Sequence, residues 1–217
     1  MHNITSKLLA KPENVEIMSL LERHDIISYQ HCLSVANTVE VLSPAFEFKG
    51  IKNKEEIIEG ALLHDIGKVL VSPEILNKQG KLTPLEFTIV KEHPRCGTIL
   101  AYERSEIIRN IIMFHHERLD GSGYPYGLKG EHIPDYCRFI TTIDILDALL
   151  SKRSYKEPYP LPYIYGEIKD MYNGQNLDMY YFSKILNFFK YGSFDDKYNK
   201  EEFFYAGNNR DRCCHKG

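Results

Sequence analysis

The sequence lacks several features that would assign the protein to a special class. Its 217 residues contain no apolar run that approaches the roughly 18 residues of a membrane-spanning helix. The first residues also lack the apolar core of a secretory signal. The formal net charge is only −3, so there is no general basic field for non-specific binding of nucleic acid. We therefore expect a cytoplasmic protein with no membrane and no polymeric nucleic acid among its partners.

Cysteines are present but form no recognisable framework. The five are odd in number and irregularly spaced, unlike those of a disulfide-rich secreted domain. Cys213 and Cys214 are adjacent, but no second Cys or His pair stands near enough in the sequence to complete four zinc ligands. We interpret both as ordinary thiols of a terminal segment.

Alternating strand-like runs are nearly absent, and apolar residues recur instead at helical spacing. This pattern predicts an all-α fold, a single compact helical bundle. Thr83 with Glu86, and Asn53 with Glu56, are predicted as helix N-caps, and Ser72 is predicted to start a short helix. The predicted helices cover residues 13–23, 26–43, 53–66, 84–102, 105–116, 135–151, 160–173 and 178–190.

The domain prediction follows from where the helical pattern stops. We expect residues 1–191 to form one domain, with a short helical lead over residues 1–25. From Gly192 the chain becomes polar and charged, so residues 192–217 are predicted to be a tail. No recognisable sensor or receiver domain precedes the helix predicted over residues 26–43, and we expect a stand-alone domain.

Histidines and aspartates stand where a helical core should be apolar. His64 and Asp65 follow Ile57 and Ile58 down one face of a predicted helix. A buried carboxylate without a partner is costly, and a metal ion would satisfy both groups. The same argument applies to further inward positions, which are His31, His93, His115, His116 and Asp144.

Each of these residues has an ordinary interpretation when taken alone. A lone histidine on an apolar face is usually a satisfied core residue, and an inward aspartate is usually a helix cap or part of a buried salt bridge. Their joint occurrence inside one helical bundle instead indicates a two-metal site. Nitrogen and oxygen donors without thiolate favour iron, manganese or zinc. We therefore predict two divalent metal ions, with iron or manganese expected first.

An ordered series of motifs resembles a known family. His64-Asp65-Ile66-Gly67-Lys68 is similar to the signature of the HD phosphohydrolase superfamily. His115-His116-Glu117, followed by Asp120-Gly121 and Gly123-Tyr124-Pro125, resembles the extended signature of its HD-GYP branch. The resemblance covers about residues 27–157. Further matching positions are Lys81, Thr83, Glu86, His93, Pro94, Gly97, Arg138, Asp144, Asp147, Arg153, Tyr155 and Lys156.

The resemblance implies an all-helical hydrolase of cyclic dinucleotides, chiefly cyclic di-GMP, in bacterial signalling. It implies that one metal ion is held by His31, His64, Asp65 and Asp144. It implies that the other is held by Asp65, His93, His115 and His116, with Asp65 as the bridge. Some relatives bind a third metal through a glutamate one turn before the first histidine. Ile27 occupies that position here, so we expect two metals.

The resemblance also implies the chemistry, in which a two-metal-activated hydroxide attacks phosphorus and opens the ring to give pGpG. A second cut to GMP is left open. Asp65 and Lys68 are the predicted catalytic residues. The predicted substrate contacts are Lys68, Asp120, Tyr124, Arg153 and Lys156.

One part of the motif series departs from the family pattern. The R-P-Y-R run of the family reads Arg153-Ser154-Tyr155-Lys156 here, and lysine cannot reproduce a bidentate arginine contact.

In the GYP loop, Asp120 is expected to tie the loop to the site, and no role is predicted for Glu117. The exposed loop is also a predicted contact for diguanylate cyclases, as the resemblance implies.

The sequence thus predicts a phosphodiesterase for cyclic di-GMP and leaves two alternatives. The first is a cyclic dinucleotide receptor or scaffold without turnover. The second is a phosphodiesterase for another cyclic dinucleotide, such as cyclic GMP-AMP. An intact set of predicted ligands argues against the first alternative, and nothing in the sequence decides between the bases.

Overall fold

The computed structural model of the protein describes residues 4–150 and 176–191. These residues form ten α-helices and no strand, which confirms the predicted all-α class. The predicted tail at 192–217 and the predicted helix at 160–173 lie outside the described residues. The helices are α1 (Ile4–Leu9), α2 (Pro12–His24), α3 (Ile26–Leu42), α4 (Glu55–Leu63), α5 (Pro73–Leu76), α6 (Pro84–Val90), α7 (His93–Leu100), α8 (Glu106–Phe114), α9 (Asp135–Leu150) and α10 (Met179–Tyr191). Short 3-10 segments occur at Ser43–Ala45, Ile66–Leu70 and Gly130–His132.

The prediction of one long helix over residues 84–102 is wrong, because the segment is divided into α6 and α7. Pro94 explains the division. A proline inside a helix has no N–H to donate and its ring clashes with the carbonyl four residues earlier, which here belongs to Val90. Accordingly α6 ends at Val90. At the start of α6 the predicted capping box is present, with Thr83 accepting from Glu86 N and Glu86 accepting from Thr83 N.

The helix predicted over residues 53–66 is shorter than expected. Asn53 accepts a hydrogen bond from Glu55 N at 3.0 Å, near the start of α4. The helix ends at Leu63, and after two intervening residues the chain enters the 3-10 segment Ile66–Leu70. His64 and Asp65 therefore lie in the turn between two helical segments.

The core is formed mainly where α3, α4, α8 and α9 meet, and it includes the fully buried residues Val35, Leu62, Ile111 and Ile140. Burying a side chain of this size contributes about 1.5–3 kcal/mol each. No helix among the described residues has both the length and the apolar character to cross a membrane.

Gly67 brings the 3-10 segment against α7. A Cβ at Gly67 would overlap the carbonyl oxygen of His93 and lie 2.5 Å from the backbone nitrogen of Gly97. Only a residue without a side chain permits this approach. The contact holds the backbone of His93 close to the turn that carries Asp65.

Candidate metal centre

Seven side chains predicted as metal ligands meet at the centre of the bundle. They come from the interior of α3 and α9, from the turn after α4, from the start of α7 and from the end of α8. Their donor atoms fall into two groups, each with all atoms within 4.8 Å of one another. The seven residues are His31, His64, Asp65, His93, His115, His116 and Asp144.

The first group consists of His31, His64 and Asp144, which we call the acidic half. His31 Nε2 lies 2.7 Å from Asp144 Oδ1. His64 Nε2 lies 3.9 Å from the same oxygen. His31 and Asp144 project from the middle of two long helices, so their backbone positions are fixed by regular hydrogen bonding on both sides.

His93, His115 and His116 form the second cluster, which we call the histidine half, and Asp65 completes it. The Nε2 atoms of His93 and His115 are 3.3 Å apart. The rings of His115 and His116 have centroids 4.0 Å apart. These side chains lie at helix ends rather than in helix interiors.

Asp65 stands between the two halves. Its Oδ2 atom lies 3.4 Å from His64 Nε2, and its Oδ1 atom lies 3.1 Å from His93 Nε2. His115 Nε2 is 3.7 Å from Oδ1 as well. Each carboxylate oxygen therefore faces one half, which is the arrangement that a bridging ligand requires.

Three of the histidines are oriented by the helix ends themselves. In each, Nδ1 lies near the carbonyl oxygen three residues earlier: Ala61 for His64 at 2.7 Å, Val90 for His93 at 2.7 Å and Ile112 for His115 at 2.9 Å. The last carbonyls of a helix lack intrahelical partners and accept hydrogen bonds from other donors. With Nδ1 donating to the backbone, Nε2 of each ring is directed into the cluster.

His31 is oriented differently, by a side chain. Its Nδ1 atom lies 2.6 Å from Asp147 Oδ2, and the other oxygen of Asp147 accepts a hydrogen bond from Ser34. Asp147 was not among the predicted site residues. Two signals were available: Asp147 belongs to the matching motif series, and it lies three residues after Asp144 and therefore on the same face of α9.

The residues fit a pair of divalent metal ions. His64 Nε2 and Asp65 Oδ1 are buried without a hydrogen-bond partner among the described residues, although a buried polar atom normally has one. A metal ion would satisfy both atoms. Cys32 Sγ lies 3.9 Å from His64 Nδ1, the nitrogen that faces Ala61, so the thiol is directed to the other edge of the ring.

The electrostatics favour the metal-binding protonation states in the histidine half and at Asp65. Burial lowers the pKa of His115 to about 4. Burial, together with His115 and His93, also holds the pKa of His116 well below its usual range. For Asp65, burial acts to raise the pKa, but Lys68 and His64 outweigh it and hold the pKa well below the usual range. Neutral imidazole and ionised carboxylate are the forms that coordinate metal ions. In the acidic half, burial acts to lower the pKa of His31 and His64, but neighbouring carboxylates outweigh it and raise the pKa of both histidines.

Tyr124 of the GYP loop lies directly beside the cluster. Its ring stacks on that of His116, with centroids 4.6 Å apart. Gly123 makes this possible, because a Cβ there would overlap the backbone of Glu117 and Arg118. The structure thus places Tyr124 beside the cluster, and its contact with the substrate stays a prediction.

The loop is held by Glu117, whereas the tie was predicted for Asp120. Glu117 is buried, and its carboxylate accepts hydrogen bonds from Tyr126 N at 2.7 Å and Leu128 N at 2.9 Å. Asp120 is exposed and bonds to Ser122 within the loop. The prediction of a tie by Asp120 is therefore wrong. The motif contains both acids, and only the path of the loop shows which one lies inside.

Two lysines border the centre. Lys68 Nζ lies 2.6 Å from Asp65 Oδ2. Lys91 Nζ lies 4.6 Å from the ring centroid of Phe87 and 5.6 Å from that of Tyr124, which places a cation above the loop tyrosine. The other predicted substrate contacts, Arg153 and Lys156, lie outside the described residues.

Comparison with known proteins gives consistent results. The family model described as HD domain matches residues 16–179. A probable cyclic di-GMP phosphodiesterase of Vibrio cholerae serotype O1 is 39% identical over 160 residues, covering 65% of this chain and 36% of that protein. A 3'3'-cGAMP-specific phosphodiesterase 3 of the same organism is 44% identical over 103 residues, covering 46% of this chain and 22% of that protein.

A solved structure shows the same fold. Bd1817, a HDG"Y"P protein from Bdellovibrio bacteriovorus, has a TM-score of 0.62 and 19% sequence identity, covering 87% of this chain and 68% of that one. The curated relatives are much longer than the matched region. The match spans 36% to 38% of the length of the first three.

Proposed function

Because this chain belongs to the HD domain family, we propose that it is a metal-dependent phosphodiesterase that hydrolyses a cyclic dinucleotide. Cyclic di-GMP is the first candidate substrate and pGpG the expected product. The observation that carries the proposal is the position of Asp65, whose two carboxylate oxygens each face one half of a buried cluster of histidines and carboxylates.

The seven clustered residues would hold two divalent ions, of which iron and manganese are our candidates. Such ions neutralise charge on phosphate oxygens and lower the pKa of a water molecule to near neutrality. The chain itself provides orientation. Asp65 is shared between the halves, and the ring nitrogens opposite the cluster are held by Asp147 or by backbone carbonyls. Fixed ligands place the reacting phosphate without reorganisation during the reaction.

The cations at the border would bind the substrate's phosphates. Lys68 lies beside Asp65 and would donate to a non-bridging oxygen of the reacting phosphate. Lys91 has no carboxylate within 4.0 Å in the part of the chain that the structure describes, and we propose that it contacts the second phosphate. Arg153 and Lys156 remain proposed contacts on the resemblance of their motif alone.

Two properties of the loop and pocket belong to the proposal. Tyr124 would line the substrate pocket, since its ring already packs on His116. Tyr126 in the same loop is 58% exposed, which leaves surface for the proposed contact with a diguanylate cyclase. The complete set of clustered donor groups favours turnover over a receptor or scaffold role. Cyclic GMP-AMP remains the alternative substrate, since relatives with that specificity are also similar to this chain.

Product analysis tests the function. The purified chain is loaded with Mn²⁺, or anaerobically with Fe²⁺, and incubated with cyclic di-GMP and separately with cyclic GMP-AMP. Asp65→Ala is expected to abolish the formation of linear products. Asp25→Asn is the matched control, because Asp25 is a buried carboxylate that caps α3 outside the cluster. Intact cyclic nucleotides after incubation with fully loaded wild type would reject hydrolysis and leave the receptor alternative.

A further inference from the structure

We infer that the two halves of the centre are unequal, and that Asp147 is the positioning residue that makes the acidic half bind its divalent ion first and more tightly. The inference rests on the proposed metal binding, but it concerns the order of binding and not the reaction.

One histidine of the acidic half differs from the others in the partner of its Nδ1 atom. His93 and His115, both in the histidine half, direct Nδ1 toward neutral backbone carbonyls. His64, in the acidic half, likewise directs Nδ1 toward the backbone carbonyl of Ala61. Within the described part of the chain, His31 is the one clustered histidine with a carboxylate at Nδ1, at 2.6 Å. Its ring is bracketed by two carboxylates on one face of α9, with Asp147 at Nδ1 and Asp144 at Nε2.

Asp147 is itself held in place. Ser34, three residues after His31 on α3, donates a hydrogen bond to Asp147 Oδ1, which leaves Oδ2 for the imidazole. The side chain of Asp147 is only 9% exposed, so its charge is weakly screened by water. A carboxylate that accepts from a ligating histidine fixes the tautomer and makes the other nitrogen more basic.

The charges reinforce this difference. The acidic half holds the carboxylate of Asp144 and has the charge of Asp147 behind it. Among the residues that the structure describes, Asp65 is the one carboxylate grouped with the histidine half, and its carboxylate also faces His64 and Lys68. A divalent cation at the acidic half is therefore attracted by more negative charge at short range. Loss of such a supporting group typically costs about 10- to 100-fold in metal affinity.

A purely structural role for Asp147 would give a different result. If its bond to His31 only fastened α9 to α3, removing it would lower the stability of the fold and leave the order of metal binding unchanged. Measurement of both binding steps separates the two roles.

The test uses Mn²⁺ as the probe and the full chain after removal of metals by a chelator. Titration calorimetry gives the two affinities, and electron paramagnetic resonance distinguishes isolated ions from spin-coupled pairs. Wild type should show two separate steps, with isolated Mn²⁺ at one equivalent. Asp147→Asn should weaken the tighter step by about 10- to 100-fold and the other step much less. Asp25→Asn is the control and should leave both steps unchanged, because Asp25 is a buried carboxylate at the N-cap of α3, the helix that carries His31.

Ligand variants assign the steps to the halves. His116→Gln should remove the weaker step and retain the tighter one, whereas His31→Gln should do the reverse. Ser34→Ala keeps the carboxylate of Asp147 and should preserve the order of binding with a smaller loss of affinity. This variant keeps the test decisive if Asp147→Asn does not fold, which circular dichroism of the metal-free chain would show.

Three outcomes would overturn the inference: equal steps in wild type, equal weakening of both steps by Asp147→Asn, or retention of the tighter step by His31→Gln. None of these measurements uses a nucleotide, so their results do not depend on whether the chain hydrolyses one. If the two ions bind in order but no cyclic dinucleotide is hydrolysed, the proposed function is rejected and this inference is kept. If hydrolysis occurs but the two binding steps have equal affinity, this inference is rejected and the proposed function is kept.

Discussion

The acidic half and the histidine half use the same kinds of donor but are built by different means. His31 and Asp144 project from the interiors of α3 and α9, and His31 depends on one side-chain partner, Asp147. His93, His115 and His116 lie where helices start or stop. The histidine half therefore depends on backbone features that end helices and bring them together. The acidic half has one ligand at a helix end, His64 after α4, and otherwise depends on the charges around His31. Changes to the backbone near α7 should affect one half only.

Gly67→Ala should give the largest difference between the two halves. The new methyl group would overlap the carbonyl of His93, so the backbone must move and His93 must leave its position. Overpacking of this kind costs about 1–3 kcal/mol of stability. We expect the Mn²⁺ step of the histidine half to be lost while the step of the acidic half is retained, measured by titration calorimetry.

Gly60→Ala is the control for stability alone. A methyl group there would meet the side chain of Ile111, which is a core contact between α4 and α8. The variant should lower the unfolding temperature and keep both metal steps. If Gly67→Ala also keeps both, the close approach at Gly67 does not position His93.

Glu117→Gln should loosen the loop beside the histidine half. The carboxylate accepts two backbone hydrogen bonds, and an amide can accept only on its oxygen, so Tyr126 N or Leu128 N loses its partner. Hydrogen bonds to charged groups contribute about 1.5–3 kcal/mol. We expect KM for the cyclic dinucleotide to rise about tenfold or more, with metal content unchanged. Asp120→Asn should change KM less, and a larger effect from Asp120 would restore the tie predicted from the sequence.

Lys91→Met tests whether the border of the histidine half binds substrate. Loss of one charge-assisted contact to phosphate should raise KM by about tenfold with little change in kcat. The salt dependence of KM should also weaken, because exposed charge interactions are screened by ions. Lys52→Met, an exposed lysine that precedes α4 and lies at the opposite end of that helix from His64, is the control. An unchanged KM would remove Lys91 from the proposed site.

The smallest effect is expected from the capping box that precedes the histidine half. Hydrogen bonds from Lys78 and from the Thr83 backbone lower the pKa of Glu86 from 4.5 to about 2. Because the folded pKa is depressed, this contribution to stability is present above pH 4.5 and is lost as the pH falls toward 2. Glu86→Gln should lower the unfolding temperature slightly at pH 7 and not at pH 2. Thermal unfolding at both pH values checks this, and an equal shift at both would contradict it.

Local sequence rules explain which parts of the fold were predictable. The capping box at Thr83 and the helix over Asp135–Leu150 depend on near neighbours, and both were predicted closely. Pro94 also indicates that a helix ends four residues earlier, at Val90. The strong apolar pattern over residues 84–102 instead favours one continuous helix. The division at Val90 frees the carbonyl that orients His93.

The sequence by itself determined that histidines and carboxylates would occupy positions that a helical core reserves for apolar side chains. Helical periodicity is local, and a buried charge needs a partner, so the seven clustered residues could be selected without coordinates. Only the tertiary structure decided which groups hold these side chains from the side opposite the cluster. Asp147 and His31 are 116 residues apart in the chain, and Glu117 rather than Asp120 faces the inside of the loop. Such pairings depend on how distant segments pack, because hydrogen bonds act over about 3 Å and no periodic pattern encodes them.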